Sequence, residues 1–432
     1  MNQEQLYQIF LRSGKVSTDT RRIEKDSIFF ALKGDRFNGN LFAGEALSKG
    51  ASYAMVDEPA GKTDDRCILV DDVLKTLQNL ATMHRRTMNI PVLGITGTNG
   101  KTTTKELIAA VVSAKMNVLY TKGNLNNQIG VPLTLLELNK SHQFAIIEMG
   151  ASHPGDIDEL CNIAEPTLAL ITNIGQAHLE GFGSPEGVIK TKTELYRYIQ
   201  KHGGTIFYNR ENEILSSEVS KLKDVQLKTY GTSGDADCKG SFIAADPFVS
   251  LKIAGEQELV KTMLAGKYNF ENILAAACIG KYLGYDTTTI RNALASYQPV
   301  NNRSQIKETA SNTILVDCYN ANPTSMKVSV DSFLHMDTLR HKKALILGDM
   351  LELGTYSDTE HKKIMDIVNH QKNVLAFFVG EIFSKHQLYT PSRCFKNAEE
   401  LIAHLKENPL RDAMILLKGS RGIKLETVLE NL

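Results

Sequence analysis

At 432 residues the chain is too long for one ordinary core and points to about three folded units of roughly 100–200 residues each. Its 49 basic and 49 acidic residues cancel, which argues against a general nucleic-acid binder and leaves anionic ligands to be met by local sites. The six cysteines (Cys67, Cys161, Cys238, Cys278, Cys318 and Cys394) lack the paired spacing of a zinc site or a disulfide framework, and apolar runs stay short. The expectation is a cytoplasmic, monomeric protein with no nucleic-acid partner and no membrane insertion.

In chain order, residues 1 to 83 read as a small α/β unit: "SIFFAL" and "ASYAMVDE" have strand character, and "LFAGEALSKG" is a short helix with a glycine stop. "LKTLQNLATMHRRTM" reads as a connecting helix. From Pro91 the apolar runs "PVLGIT", "NVLYT", "FAIIEMG", "TLALITNIG" and "GTIFYN" alternate with amphipathic helices, the pattern of a doubly wound parallel sheet. The polar stretch 209–265 suggests short antiparallel edge strands, and "NFENILAAACIGKYLG" a helix. A third α/β series follows, with "TILVD", "KALILGD", "LAFFVG" and "AMILLKG" as strands. The expected units are 1–83, 84–299 and 300–432.

Between the first strand of the second unit and its helix lies "GITGTNGKTTTKE". The strict P-loop pattern fails, because Ile95 stands where its first glycine belongs; Gly97-Thr98-Asn99-Gly100-Lys101-Thr102-Thr103 is a tighter version. The physical device is the same. A strand delivers a turn whose N–H groups face an anion, and the helix expected over 102–115 aims its N-terminus at that charge. Lys101 would neutralise β- and γ-phosphates and Thr102 would ligate Mg²⁺, so ATP or GTP is the expected ligand.

Further along, Glu148 is the first carboxylate after an apolar strand, and reads equally as a ligand for a hard cation or as a solvated strand-end acid. His178 sits in a glycine-rich loop and is a weak signal by itself. In the next helix, with Ser184 as N-cap and Pro185 at its first position, Val188, Ile189, Lys192, Leu195, Tyr196 and Ile199 share one face. Lys190 and Glu194 read as a surface pair. Lys192 therefore lies in an apolar stripe, where its charge either snorkels to water or is lost through a lowered pKa.

The stretches "STDTRR", "FFALKGDRFNGN", "GITGTNGKTTT", "GNLNNQIGVPLTLL", "EMGASHPGDI", "TNIGQAHLEGFGSPEGVIKTK", "GKYNFENILAA", "DCYNANPTSM", "LGDMLELG" and "LLKGSR" together resemble the Mur ligase family, in family order across all three units. "YNANPTSM" with "LGDMLELG" is similar to its dipeptide-adding branch. The resemblance implies an α/β protein of three domains: a small N-terminal UDP-sugar-binding domain, a central P-loop ATPase domain and a C-terminal Rossmann-like domain. It implies an ATP-dependent amide ligase that joins D-alanyl-D-alanine to UDP-N-acetylmuramoyl-tripeptide through an acyl phosphate. Family members adding another residue, or glutamate to a folate, are the alternative.

Residue roles follow from that resemblance. Lys101 and Thr102 would hold the triphosphate and Mg²⁺, within a loop comprising Gly97, Thr98, Asn99, Gly100 and Thr103. Glu148 and His178 would bind metal, two Mg²⁺ ions in all, and Lys192 would be a carbamylated metal ligand. Asn269, Arg303 and Asp317 would contact nucleotide; Thr20, Arg21, Asn124 and Asn127 would lie along the UDP-sugar path; Lys418 and Arg421 occupy the "KGSR" position at the substrate. Three departures stand out: "FNGN" in place of an Asp-Gly-His type turn, Tyr268 where relatives have histidine, and "VNNRSQ" without the usual glycine before the arginine. Closure over the ligands is expected, with hinges near 84–90 and 298–304.

Overall fold

The computed structural model of the chain describes residues 2–432 apart from Arg36, Ala177, His178, Asn301 and Leu339. The first sheet contains β1 (Val16–Ser17), β2 (Ile28–Phe30), β5 (Tyr53–Val56) and β6 (Cys67–Leu69), all parallel in the order β1-β2-β5-β6, beside a hairpin of β3 (Lys33–Gly34) and β4 (Phe37–Asn38).

The helix Val73–Met88 then does more than connect. Asp72 caps it by accepting from Lys75 N, and Leu77, Leu80 and Ala81 are buried. It packs against the helix Gln3–Ser13 and also against Gly130–Leu135 and Asp156–Ala164 of the second unit. One continuous core thus runs from Tyr7 and Phe10 to Leu135 and Ile147. The expected bend near 84–90 needs correction: Arg85 donates to the carbonyls of Ala164 and Glu165, each at 3.0 Å, and Arg86 pairs with the Glu165 carboxylate at 2.6 Å. These bonds fasten the helix end to the second unit.

The central sheet comprises β7 (Val92–Thr96), β8 (Val118–Tyr120), β9 (Phe144–Glu148), β10 (Leu168–Ile171), β11 (Thr205–Asn209), β12 (Gln226–Gly231), β13 (Cys238–Ala245), β14 (Phe248–Ile253) and β15 (Val260–Ala265). Its order is β15-β14-β13-β12-β11-β10-β7-β9-β8. β7, β9 and β10 are buried at every residue, as parallel strands covered on both faces must be. Their carboxyl ends lie side by side, the place where open α/β sheets hold ligands. The antiparallel edge is smaller than the sequence suggests. β12 pairs in parallel with β11 and β13, and only β13-β14-β15 run antiparallel.

The third sheet contains β16 (Gln305–Glu308), β17 (Asn312–Asp317), β18 (Lys342–Gly348), β19 (Val374–Val379), β20 (Arg393–Phe395) and β21 (Ala413–Lys418), ordered β16-β17-β21-β18-β19-β20, with only β16 and β17 antiparallel. Apolar clusters cover both faces, one including Phe333 and Met365 and the other Leu401 and Val428. The helix expected around Lys192 is divided into Pro185–Lys192 and Glu194–His202, with Ser184 as the anticipated cap. Glu194 does not serve Lys190. Its carboxylate accepts from Gly155 N at 3.0 Å and Asp158 N at 2.9 Å, at the start of the helix Asp156–Ala164.

Candidate active site

The phosphate loop leaves β7 and turns directly into the helix Lys101–Val112. Gly97 has φ +146° and Gly100 φ +78°, and a Cβ at these positions would come within 2.0 Å of Thr172 Oγ1 and 2.6 Å of Asn272 Oδ1. Only glycine fits both the backbone conformation and the close approach. The end of β10 braces the turn: Thr172 Oγ1 donates to Asn99 O at 2.6 Å, and Asn173 exchanges bonds of 2.9 and 3.0 Å with the Asn99 backbone.

Lys101 Nζ folds back over this loop, donating to Gly97 O at 2.7 Å and Thr98 O at 3.2 Å. Burial at the bottom of the cleft pushes its pKa down, with the Glu148 charge opposing and the Arg303 charge adding to the shift. Thr98, Asn99, Gly100, Thr102 and Thr103 line the same cleft, about 1300 Å³ in volume; Gly97 lies behind it.

Glu148, at the end of β9, is 2% exposed. Its Oε1 accepts from Asn126 Nδ2 at 2.9 Å, whereas Oε2 is buried without a hydrogen-bond partner. Lys105 Nζ lies 3.8 Å from Oε2 and donates to Thr121 O at 2.6 Å. Across the cleft, Arg303 Nε is likewise buried and unbonded. Glu148 and Arg303 thus both line one cavity beside a phosphate loop, and each carries a desolvated polar atom with no hydrogen-bond partner. Unpaired groups of this kind are costly unless a ligand completes them. A cation on the carboxylate and phosphate oxygens on the arginine and loop would complete both, so the residues present fit a nucleotide with Mg²⁺.

The third unit supplies the far wall. Asp317, at the end of β17, accepts from Lys418 Nζ at 2.7 Å and Ser329 Oγ at 3.1 Å, and both Asp317 and Lys418 line the cleft. Lys418 is 2% exposed and already neutralised by this pair. Asn322 caps the helix Pro323–His335 and donates through Nδ2 to Asn99 Oδ1 at 2.8 Å, joining the third unit to the phosphate loop. Asn269 is on the cleft floor with its amide directed inward, to Ala265 O at 2.7 Å and from Asn272 at 2.9 Å.

The departures in sequence have local explanations. Asn302, in the place of a glycine, has φ +54°, a left-handed conformation that asparagine tolerates better than most residues. Tyr268 lines the cleft and reaches Ser304 Oγ with its hydroxyl at 2.9 Å, a contact across the unit boundary.

Other anticipated residues are dispersed. Asn127 lines the cleft but accepts from Ile129 N and Gly130 N, and Asn124 is exposed nearby. Thr20 and Arg21 form a turn of the first unit, with Arg21 in a bidentate pair with Asp19; neither lines the cleft. Arg421 is exposed just beyond β21. Lys192 is 2% exposed, so of the two outcomes its apolar face left open it does not snorkel to water, and its ammonium lies 5.8 Å above the Phe182 ring. Burial, and then the Lys101 charge, push its pKa well below the ordinary lysine value. His178 lies outside the described residues.

Sequence reasoning missed Asn126, Lys105, Asn272, Asn322 and Tyr319. Lys105 had a signal, since it falls four residues after Lys101 and so on the same helix face. Asn322 had the local signal of a helix cap before Pro323, but its bond to Asn99, like those of Asn126 to Glu148 and Asn272 to Thr104, joins residues remote in the chain.

Comparison with known proteins accords with this geometry. The Mur ligase middle domain matches residues 95–280, and the Mur ligase glutamate ligase domain matches residues 302–421. The UDP-N-acetylmuramoyl-tripeptide–D-alanyl-D-alanine ligase of Bacillus subtilis is 35% identical over 428 residues, covering 96% of this chain and 92% of that protein. A crystal structure of MurF from Acinetobacter baumannii superposes with a TM-score of 0.87 at 30% identity, over 97% of this chain and 93% of that one. MurF from Thermotoga maritima in complex with ADP gives 0.84 at 28% identity, over 98% and 97%. With its three-domain α/β fold and full-length similarity, the chain belongs to the Mur ligase family.

Proposed function

We propose that this ligase uses ATP to join D-alanyl-D-alanine to UDP-N-acetylmuramoyl-tripeptide, completing a peptidoglycan precursor. The observation that carries the site reading is that Glu148 and Arg303, each with a buried polar atom lacking a hydrogen bond, line one cleft with the Thr98–Thr103 loop. The choice of substrates rests on the likeness to relatives with that named activity.

The terminal carboxylate of the tripeptide attacks the γ-phosphorus, the bond to ADP breaks, and an acyl phosphate forms. The dipeptide amine attacks its carbonyl carbon, phosphate leaves, and the nitrogen loses a proton to give the amide. Such phosphoryl transfer depends mainly on positioning and charge neutralisation. Lys101 and the loop N–H groups would hold the β- and γ-phosphates, exchanging the ammonium's bonds to Gly97 O and Thr98 O for phosphate oxygens. Asn269, Arg303 and Asp317 would serve the nucleotide from the opposite side.

Thr102 and Glu148 would hold one Mg²⁺, and His178 with a carbamylated Lys192 a second; when bound, these ions would supply neutralisation of charge on the transferring phosphate. For Lys192 the support is its burial, which favours the neutral amine. That amine can attack CO₂, forming an N–C bond with loss of a proton. The units 1–83, 84–299 and 300–432 divide the work: the first, through Thr20 and Arg21, takes the UDP-sugar together with Asn124 and Asn127 of the second; the second takes ATP; the third, with Lys418 and Arg421, closes over them with the dipeptide. The protein acts as a cytoplasmic monomer, and no helix among the described residues is long and apolar enough to cross a membrane.

Phosphate release from ATP with UDP-N-acetylmuramoyl-tripeptide, with and without D-alanyl-D-alanine, followed by mass analysis, tests this reading. Release that depends on the dipeptide, with a pentapeptide product, is expected. A stable phosphorylated product, or equal kcat/KM for D-alanine and the dipeptide, would overturn it.

A further inference from the structure

Arg303 lies between Asn302 at φ +54° and Ser304 at φ +47°, so the backbone on both sides is held in left-handed conformations. Its guanidinium makes no ion pair or hydrogen bond with the described residues, and Nε is buried. What it does touch is an aromatic face: Cζ lies 3.8 Å from the centre of the Tyr319 ring. Arg421, from the loop after β21, approaches the same ring at 5.4 Å. Tyr319 itself lies between β17 and the helix Pro323–His335 and lines the cleft.

Two arginines far apart in sequence are thus referred to one ring. The neighbouring cations cannot hold Arg303 in place: Lys101 repels it, and Lys418 is committed to Asp317. A guanidinium stacks on an aromatic face with its N–H edge left free, whereas a carboxylate partner would consume that edge. Stacking therefore fixes the charge while keeping a donor for a ligand.

We infer that Tyr319 is a positioning residue whose ring sets the Arg303 guanidinium in the cleft, its N–H edge uncommitted and available to an anionic phosphate oxygen, and ties that nucleotide-side arginine to Arg421 on the C-terminal loop. The inference rests on the reading of this cleft as the ATP site. No hydrogen bond of the Tyr319 hydroxyl to the described residues accompanies the stack, so the ring is the working part.

Binding of a non-hydrolysable ATP analogue by calorimetry, together with ATP KM and kcat, tests it. Tyr319→Phe retains the ring and should bind within about twofold of the native protein. Tyr319→Leu should lose about tenfold in affinity, the scale of a desolvated cation–π contact. Arg303→Lys, which keeps charge but not the planar stack, should lose a similar factor. In an Arg303→Met background Tyr319→Leu should cost almost nothing more, because its effect passes through the arginine.

Equal loss in the Phe and Leu variants would assign the role to the hydroxyl and overturn the inference. Full additivity with Arg303→Met would do the same, by showing a general structural effect. If Tyr319→Leu does not fold, as judged by circular dichroism, Arg303→Lys with Tyr319→Phe still decides: native affinity in Arg303→Lys refutes the stack. A native protein that binds no analogue refutes the nucleotide site itself, whereas native binding unchanged by Tyr319→Leu refutes only the positioning role.

Discussion

The near wall of the cleft is built on one continuous stretch, Thr98 to Thr103, delivered by β7 and continued by its own helix. The far wall collects Arg303 from the segment before β16, Asp317 from β17, Asn322 from a helix cap and Lys418 from β21. The near wall also belongs to a larger body, because the helix Val73–Met88 joins the first and second units through a common core. In the near wall, position is set by main chain, so a side-chain substitution should alter chemistry and leave placement intact. In the far wall, position depends on a second sheet and on the connection leading into it, so substitutions should alter placement as well.

The largest test of that contrast is Lys101→Ala. Its side chain bonds only loop carbonyls, so the melting temperature should hold while ligation falls by about three decades or more, the scale seen when a charge donor at a transferring group is removed. A folded variant with near-native turnover, measured by phosphate release, would sink the assignment.

Lys192→Arg comes next. It places a permanently charged guanidinium where burial favours a neutral amine, and it cannot form a carbamate, so turnover should fall by about a hundredfold. Mass analysis of an intact, CO₂-equilibrated, trapped native protein should show the added carboxyl; near-native activity in the arginine variant would remove the carbamate from the mechanism.

Asn322→Ser probes the contact between the walls. Serine can still cap the helix, but it is too short to reproduce the bond to Asn99 Oδ1. We expect kcat to fall about tenfold, the size of one hydrogen bond of roughly 1.4 kcal/mol, with little change in melting temperature. A loss of stability with unchanged kcat would make Asn322 a cap and nothing more.

The same contrast explains how much could be read from sequence. The loop, its helix and the buried strands β7, β9 and β10 were legible because their signals lie within a few residues: glycines, a lysine and uninterrupted apolar runs. Lys192 was legible as a buried residue because helical spacing is local, although the break before Glu194 was not, since it depends on that carboxylate capping a different helix. The strand β16, the inward turn of the Asn269 amide and the stack on Tyr319 were illegible. Each is determined by residues brought together only when the sheets form. Asn302 lies between these cases: the position needs a left-handed backbone, which the chain meets with asparagine in place of glycine.

The smallest effect concerns acid stability and separates the two bodies rather than the two walls. His84 sits in the core shared by the first and second units, with Nδ1 3.2 Å from the Tyr7 hydroxyl and Nε2 2.8 Å from Leu138 O. His361 is buried in the third unit, where Met350 N donates to its Nε2 at 3.0 Å. Burial lowers the pKa of both below the ordinary 6.5. The folded state thus favours neutral imidazole, and the unfolded chain takes up protons first as the medium is acidified. The stabilisation from each is complete above pH 6.5 and is lost as pH falls from there through the lowered native pKa, with a slope of at most about 1.4 kcal/mol per pH unit for each group. Thermal unfolding followed between pH 7.5 and 5, as chosen conditions of roughly that span, should show both bodies weakening. His84→Gln should flatten the pH dependence of the first transition alone. If it flattens both equally, the two bodies unfold as one cooperative unit, and the division drawn between the walls does not extend to stability.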